Sequence, residues 1–142
     1  MNVRLAVSHD APAVTALLEQ AALPTVGVAE HLHEFVVAED DEGVVGVIGR
    51  ETYGDVALLR SAVVHERARG SGIGAQLVHA LEAAAREAQV RALVLLTTTA
   101  DQWFPRFGYE VITRDAVPDA LLASAEFRGA CPASAIVMRK RL

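Results

Sequence analysis

The chain has one cysteine, Cys131, and one lysine, Lys140, in 142 residues. A lone thiol excludes an internal disulfide and fits a reduced, cytoplasmic compartment. A lone lysine so close to the C-terminus excludes a P-loop, which needs Gly-Lys-Ser/Thr at the start of a helix. No apolar run approaches the roughly 18 residues of a membrane span, so no membrane partner is expected. The opening "MNVRLAVSHD" has too short an apolar stretch for a signal peptide. Basic residues are outnumbered, 13 against 18 acidic, for a net charge of −5. The one basic cluster, Arg139–Arg141, is too short to make a nucleic-acid surface. There is no repeat, low-complexity tract or linker, and the length is that of one domain spanning 1–142.

What is present is an alternation of strand and helix signals. "VRLAV" (3–7) reads as a strand, and Ser8, Asp10 and Pro12 mark a helix start. Val14, Leu17, Leu18 and Ala21 give that helix an apolar stripe. "EFVVAED" and "VVGVIGRET", joined by "DEG", predict a hairpin. "VALLRSAVV" (56–64) is apolar on both faces, as a central strand is. A second long helix follows, with Ile73, Leu77, Leu81, Ala84 and Ala88 on one face and Glu82 and Arg86 off it in the favourable i,i+4 order. "ALVLL" (92–96) predicts a buried strand, 100–107 a helix, "YEVIT" a strand, "VPDALLAS" a short helix and "ASAIVMRK" a last strand. Strands 56–64 and 92–96 should pair in parallel through a right-handed crossover. The fold class is therefore α/β: a mixed sheet with helices on both faces.

Between strand 56–64 and its helix stands "RARGSGIG" (67–74), with Gly70, Gly72 and Gly74 at alternate positions. Glycine inside a helix costs about 1 kcal/mol relative to alanine. At a helix N-terminus it permits backbone conformations and close approaches that let free amides and the helix dipole hold an anion. A pyrophosphate suits that site. The spacing G-x-G-x-G is not the dinucleotide fingerprint G-x-G-x-x-G. A tight turn with no ligand is the competing reading.

The segment "VVHERARGSGIG" resembles the acetyl-CoA signature of the GCN5-related N-acetyltransferases (GNAT), in which [QR]-x-x-G-x-[GA] opens a helix; Arg69, Gly72 and Gly74 occupy that pattern. "LLTTTADQWFPRFGYEV" continues the likeness, and the element order from 3 to 112 matches. A narrower resemblance links residues 93–142 to the acetyltransferase domain of N-acetylglutamate synthases. "LPT", "EHL", "LLRS" and "CPASA" are similar to acetyltransferases associated with arsenic resistance.

The resemblance implies acetyl-CoA as cosubstrate. Its contacts would be Ala62, Val63 and Val64 on the strand, Arg69, Gly70, Ser71, Gly72, Ile73 and Gly74 in the loop, and Thr98, Trp103 and Phe104 beyond. It also implies a glutamate at the position of Leu58 and a tyrosine at that of Phe104, and neither is there. Glu51 on the adjacent strand and Asp55 in the turn, acting through water, are then candidate bases, and Thr97 and Thr98 are candidate proton donors to the leaving thiolate; the threonines equally suit capping of the next helix. Arg60 shares a face with position 58. It either grips an acceptor carboxylate with its planar fork or closes an internal salt bridge to Glu51 or Glu34. His31, His33 and Cys131 are candidate acceptor contacts, and the two histidines lack the further ligands a metal would need. Dimers are frequent in the family, so a homodimer is an open expectation, with the last strand as the exchange edge.

The expected function is transfer of acetyl to the amino group of a small carboxylate-bearing molecule, an amino acid or analogue, with a glutamate-like arsenical included. A non-catalytic acyl-CoA-binding module and a protein or peptide acetyltransferase are the alternatives.

Overall fold

The computed structural model describes residues 1–142. Seven strands form one sheet: β1 (Asn2–Leu5), β2 (Val36–Asp40), β3 (Gly43–Tyr53), β4 (Val56–Val64), β5 (Ala92–Thr97), β6 (Glu110–Ile112) and β7 (Ile136–Arg141). Their spatial order is β1-β2-β3-β4-β5-β7-β6. β4 and β5 run parallel, joined by a helical crossover, and every other neighbouring pair is antiparallel. The last strand is therefore no free edge: β7 is paired on both sides, with β5 and β6. No helix is long and apolar enough to cross a membrane.

Helices α1 (Ala11–Gln20) and α3 (Ile73–Glu87) cover opposite faces, while α2 (Val28–His31) is a single turn before β2. On one face Leu77, Val78 and Leu81 of α3 pack on Ala57, Leu59 and Leu93. On the other, Val14, Leu17 and Leu18 of α1 meet Val37 and Val47. Farther along that second face, Val117 and Leu121 cover Leu58, Val94 and Val137. Each such large aliphatic side chain contributes about 1.5–3 kcal/mol on burial.

Three expectations need correction. The helix over 100–107 is only a tight turn, Phe104–Phe107, because Pro105 has no amide to donate back along a helix. The buried stripe of α3 runs through Val78 and Ala85 rather than Ala84 and Ala88. Glu82 lies inside it, 3.0 Å from Lys140 Nζ and accepting from the Tyr109 hydroxyl at 2.9 Å. A buried carboxylate is tolerated when paired in this way.

Two irregularities in β4 shape the site. Ser61 takes φ +62, and the register with β3 shifts between Val47 and Gly49, so β4 carries a bulge at Ser61 and Ala62. On its other side β4 pairs with β5 only from Val56↔Ala92 to Leu58↔Val94. Beyond Leu58 the two parallel strands part, leaving the β4 edge from Leu59 onward without a strand partner on that side.

Candidate functional site

Two cavities open at this parting, and Ala62 lines both. The first, about 530 Å3, is walled by Val63 and Val64 of β4, by Arg69, Gly70 and Gly72 of the loop, and by Trp103. Ile73, Gly74 and Arg106 complete its polar and apolar mouth. Gly70 and Gly72 both have φ +82, a left-handed backbone that side-chain-bearing residues adopt only at a cost. Gly74 is small for a different reason: an added Cβ would stand 3.0 Å from Trp103 Cζ2. The first helical bond into this end of α3 runs from the Gln76 amide to the Gly72 carbonyl, 3.2 Å. The amides ahead of Gln76 in that turn have no helical acceptor, and the dipole favours an anion there. Arg69 and Arg106 add positive charge. Ser71 does not line this wall; its hydroxyl bonds the Ala68 carbonyl at 2.5 Å.

The second cavity, about 610 Å3, lies against the face that carries α1. Pro24 and Val26 form one side, Thr97, Thr98 and Phe104 the floor near β5, and Glu126 and Cys131 the far wall. Thr98 and Phe104, expected beside the cosubstrate, line this cavity, while Trp103, Arg106 and Phe107 of the same turn line the first. The Thr97 hydroxyl accepts from the amides of Thr99 and Ala100 at 3.3 and 2.8 Å, so it caps the turn after β5 while facing the cavity.

Arg60 lies in the base of this cavity with its side chain fully buried. Its Nη1 donates to Glu51 Oε2 and to the Val26 carbonyl, both at 2.7 Å. Its Nη2 donates to the Pro24 carbonyl at 3.0 Å and its Nε to Ser61 Oγ at 2.9 Å. The fork is therefore occupied inside the protein, on the salt-bridge alternative with Glu51, and it fastens the 24–26 segment to the sheet. Glu51 is a poor base in this setting. Its other oxygen accepts from the Tyr53 hydroxyl at 2.5 Å. Despite the opposing effect of burial, the Tyr53 and Arg60 hydrogen bonds hold its carboxyl below the usual range. His31 and His33 line neither cavity. The first bonds Glu34 at 2.9 Å through Nδ1, and the second is exposed on the turn before β2.

One residue at the site carried no signal in the sequence. Glu126 begins a kinked turn, Glu126–Ala130; it is buried, and its Oε2 lies 3.5 Å from Arg60 Nε. Burial, partly offset by Arg60, pushes its carboxyl up to about 7. The thiol of Cys131 beside it is pushed up to about 11, by burial first and then by Glu126.

A family model for the acetyltransferase (GNAT) domain matches residues 31–111. The chain belongs to the GNAT family. Its GNAT domain is 30% identical over 126 residues to an amino-acid acetyltransferase of Actinobacillus pleuropneumoniae, a match that covers 82% of this chain and 29% of that protein. The chain thus spans about a third of the length of the curated relatives it matches. In fold, the GNAT domain superposes on N-acetylglutamate synthase of Neisseria gonorrhoeae, solved with coenzyme A and N-acetyl-glutamate. That TM-score is 0.84 at 23% identity, covering 99% of this chain and 35% of the other. A Mycobacterium tuberculosis protein in complex with CoA gives 0.81 at 24% identity, covering 100% and 99%.

Proposed function

We propose that the domain transfers acetyl from acetyl-CoA to the amino group of a small molecule, with an amino acid as the acceptor class. The observation that carries the reading is the early parting of β4 and β5 at Leu58 and Val94. It joins an anion-suited glycine loop and a half-open, mainly apolar cavity with Arg60 and Glu126 in its lining at a single residue, Ala62.

The residues of the first cavity fit the cosubstrate. Left-handed Gly70 and Gly72 and the free amides ahead of Gln76 suit a diphosphate, with Arg69 and Arg106 compensating its charge. The edge of β4 beyond Leu58 has no strand partner, though the Val64 carbonyl accepts from Arg69 Nε at 2.9 Å, and is placed to receive an amide-bearing arm. Acetyl-CoA supplies an activated acyl carbon; the protein supplies position, a dry wall and proton traffic. A main-chain amide on that edge would also polarise the thioester carbonyl. Thr97 and Thr98 face the acceptor side, where a hydroxyl can return a proton to the leaving sulfur.

The size of the acceptor class is supported by the walls. Pro24–Val26 on one side and Glu126 with Cys131 on the other flank the second cavity, a width between walls that suits a small molecule. The amino-acid class rests on the likeness to the amino-acid acetyltransferases. A carboxylate-bearing acceptor, and within it a glutamate-like arsenical, is the finer reading.

Two measurements test this. Calorimetry should detect CoA binding to the folded domain. Thiol release from acetyl-CoA should depend on an added amine drawn from the standard amino acids and an arsenical glutamate analogue. Binding without amine-dependent release would make the domain an acyl-CoA-binding module, and no binding at all would sink the reading.

A further inference from the structure

The neutral amine that attacks a thioester must first lose a proton, and neither residue at the family's usual acid and base positions, Leu58 and Phe104, can take it. Glu51 is engaged by Arg60 and Tyr53. The ionisable groups lining the second cavity are Arg60 from β4 and Glu126 and Cys131 before β7; Glu51 of β3 lies behind Arg60, with Tyr53 on its other oxygen and His31 Nε2 at 3.8 Å. Two carboxylates share one guanidinium. Glu51 takes the short bond at 2.7 Å, and Glu126 has from Arg60 the longer contact at 3.5 Å, to a nitrogen that already donates to Ser61, with the Cys131 thiol as its other polar neighbour. Ser61 and Ala62 form the bulge where the two cavities meet. Glu126 is thus a buried carboxyl, incompletely compensated, beside the junction where amine and thioester would meet.

We propose that Glu126 is the proton acceptor for the incoming amine. The assignment rests on the acetyl-transfer reading above. The acceptor enters as an ammonium ion, drawn by the carboxylate. One N–H proton passes to Glu126, directly or through one water. The freed lone pair forms the N–C bond at the thioester carbonyl carbon, the C–S bond breaks, and its electron pair leaves on sulfur. A second N–H proton ends on that sulfur as free thiol. Glu126 then releases its proton to solvent, so one proton is liberated per turnover. A group that ionises near neutrality is matched to that task, and its environment supplies this: burial raises Glu126 to about 7 against the pull of Arg60.

The test is the pH profile of kcat/KM for thiol release, taken from about pH 5 to 9 with the standard amino acid that wild type uses fastest. Wild type should show an acid limb near neutrality. Glu126→Gln should lose that limb and fall about 100-fold or more at pH 7, with CoA affinity by calorimetry unchanged. Glu126→Asp should keep a limb at a displaced pH. A Gln variant that retains both rate and limb overturns the assignment. If the Gln variant fails to bind CoA because it misfolds, the Asp variant decides: a limb that does not move at all overturns it. A wild type that releases no thiol with any amine overturns the acetyl-transfer reading itself, and this assignment with it.

Discussion

Arg60 Nη1 stands 2.7 Å from Glu51 Oε2, both side chains buried between the parted strands and the 24–26 segment. The same guanidinium holds two main-chain carbonyls and a serine hydroxyl. It is the mechanical centre of the second cavity's side as well as the one guanidinium lining it.

Removing it should unfold that side. Arg60→Ala leaves the Glu51 carboxylate buried without its cation and two carbonyls unsatisfied, a loss of about 3–5 kcal/mol. Arg60→Lys keeps the charge but cannot span all four partners, so it should recover only part. Because the folded Glu51 carboxyl sits below its usual value, the stabilisation from this pair exists above the ordinary carboxylate range and fades as pH falls through the lowered value. Urea denaturation of both variants at neutral and acid pH checks this: the wild-type advantage should shrink in acid.

Glu126 has the opposite sign. Its carboxyl is raised to about 7, so the folded state holds a proton that the unfolded chain has released. Stability should therefore fall as pH rises from about 4.5 to 7, by roughly 3 kcal/mol, and then level off. Glu126→Gln should remove that slope. It should match wild type near pH 4 and exceed it at pH 8 in chemical denaturation; an equal slope in both proteins contradicts the burial argument.

The glycine loop makes a local prediction. Gly72→Ala forces a Cβ onto φ +82, which costs about 1–2 kcal/mol, and should weaken CoA binding by tilting the amides of the turn. Nothing lies within 4 Å of the added carbon, so the loss comes from the backbone alone. Gly74→Ala meets Trp103 at 3.0 Å instead, and a smaller residue at 103 should rescue it. Calorimetry with CoA on Gly74→Ala with and without Trp103→Leu separates the two causes.

Cys131 should be a slow nucleophile. With its thiol pushed up to about 11, little thiolate exists at pH 8, and iodoacetamide should label it slowly in the folded protein. Part of that shift comes from the Glu126 charge, so Glu126→Gln should speed labelling at pH 8. Mass spectrometry against time reads the difference.

Much of this architecture was legible before folding is considered. The apolar segment 56–64 is β4 to the residue, the parallel crossover to β5 is as the strand–helix–strand pattern requires, and G-x-G-x-G marks the start of α3. These follow from short-range rules: period two or 3.6 sorts side chains by face, and glycine marks backbone that other residues avoid. Long-range placement escaped the same rules. That Phe104 and Thr98 face the second cavity depends on strands diverging after Leu58. That Arg60 is closed on Glu51 depends on β3 and the 24–26 segment arriving beside it. Glu126 reads along the chain as an ordinary surface acid; it becomes a buried, half-compensated carboxyl only where the loop before β7 folds over a guanidinium 66 positions away in sequence (126 against 60). Residue order sets which faces are apolar and where the backbone can turn, whereas the protonation of a carboxyl depends on which charges and how little water surround it in three dimensions.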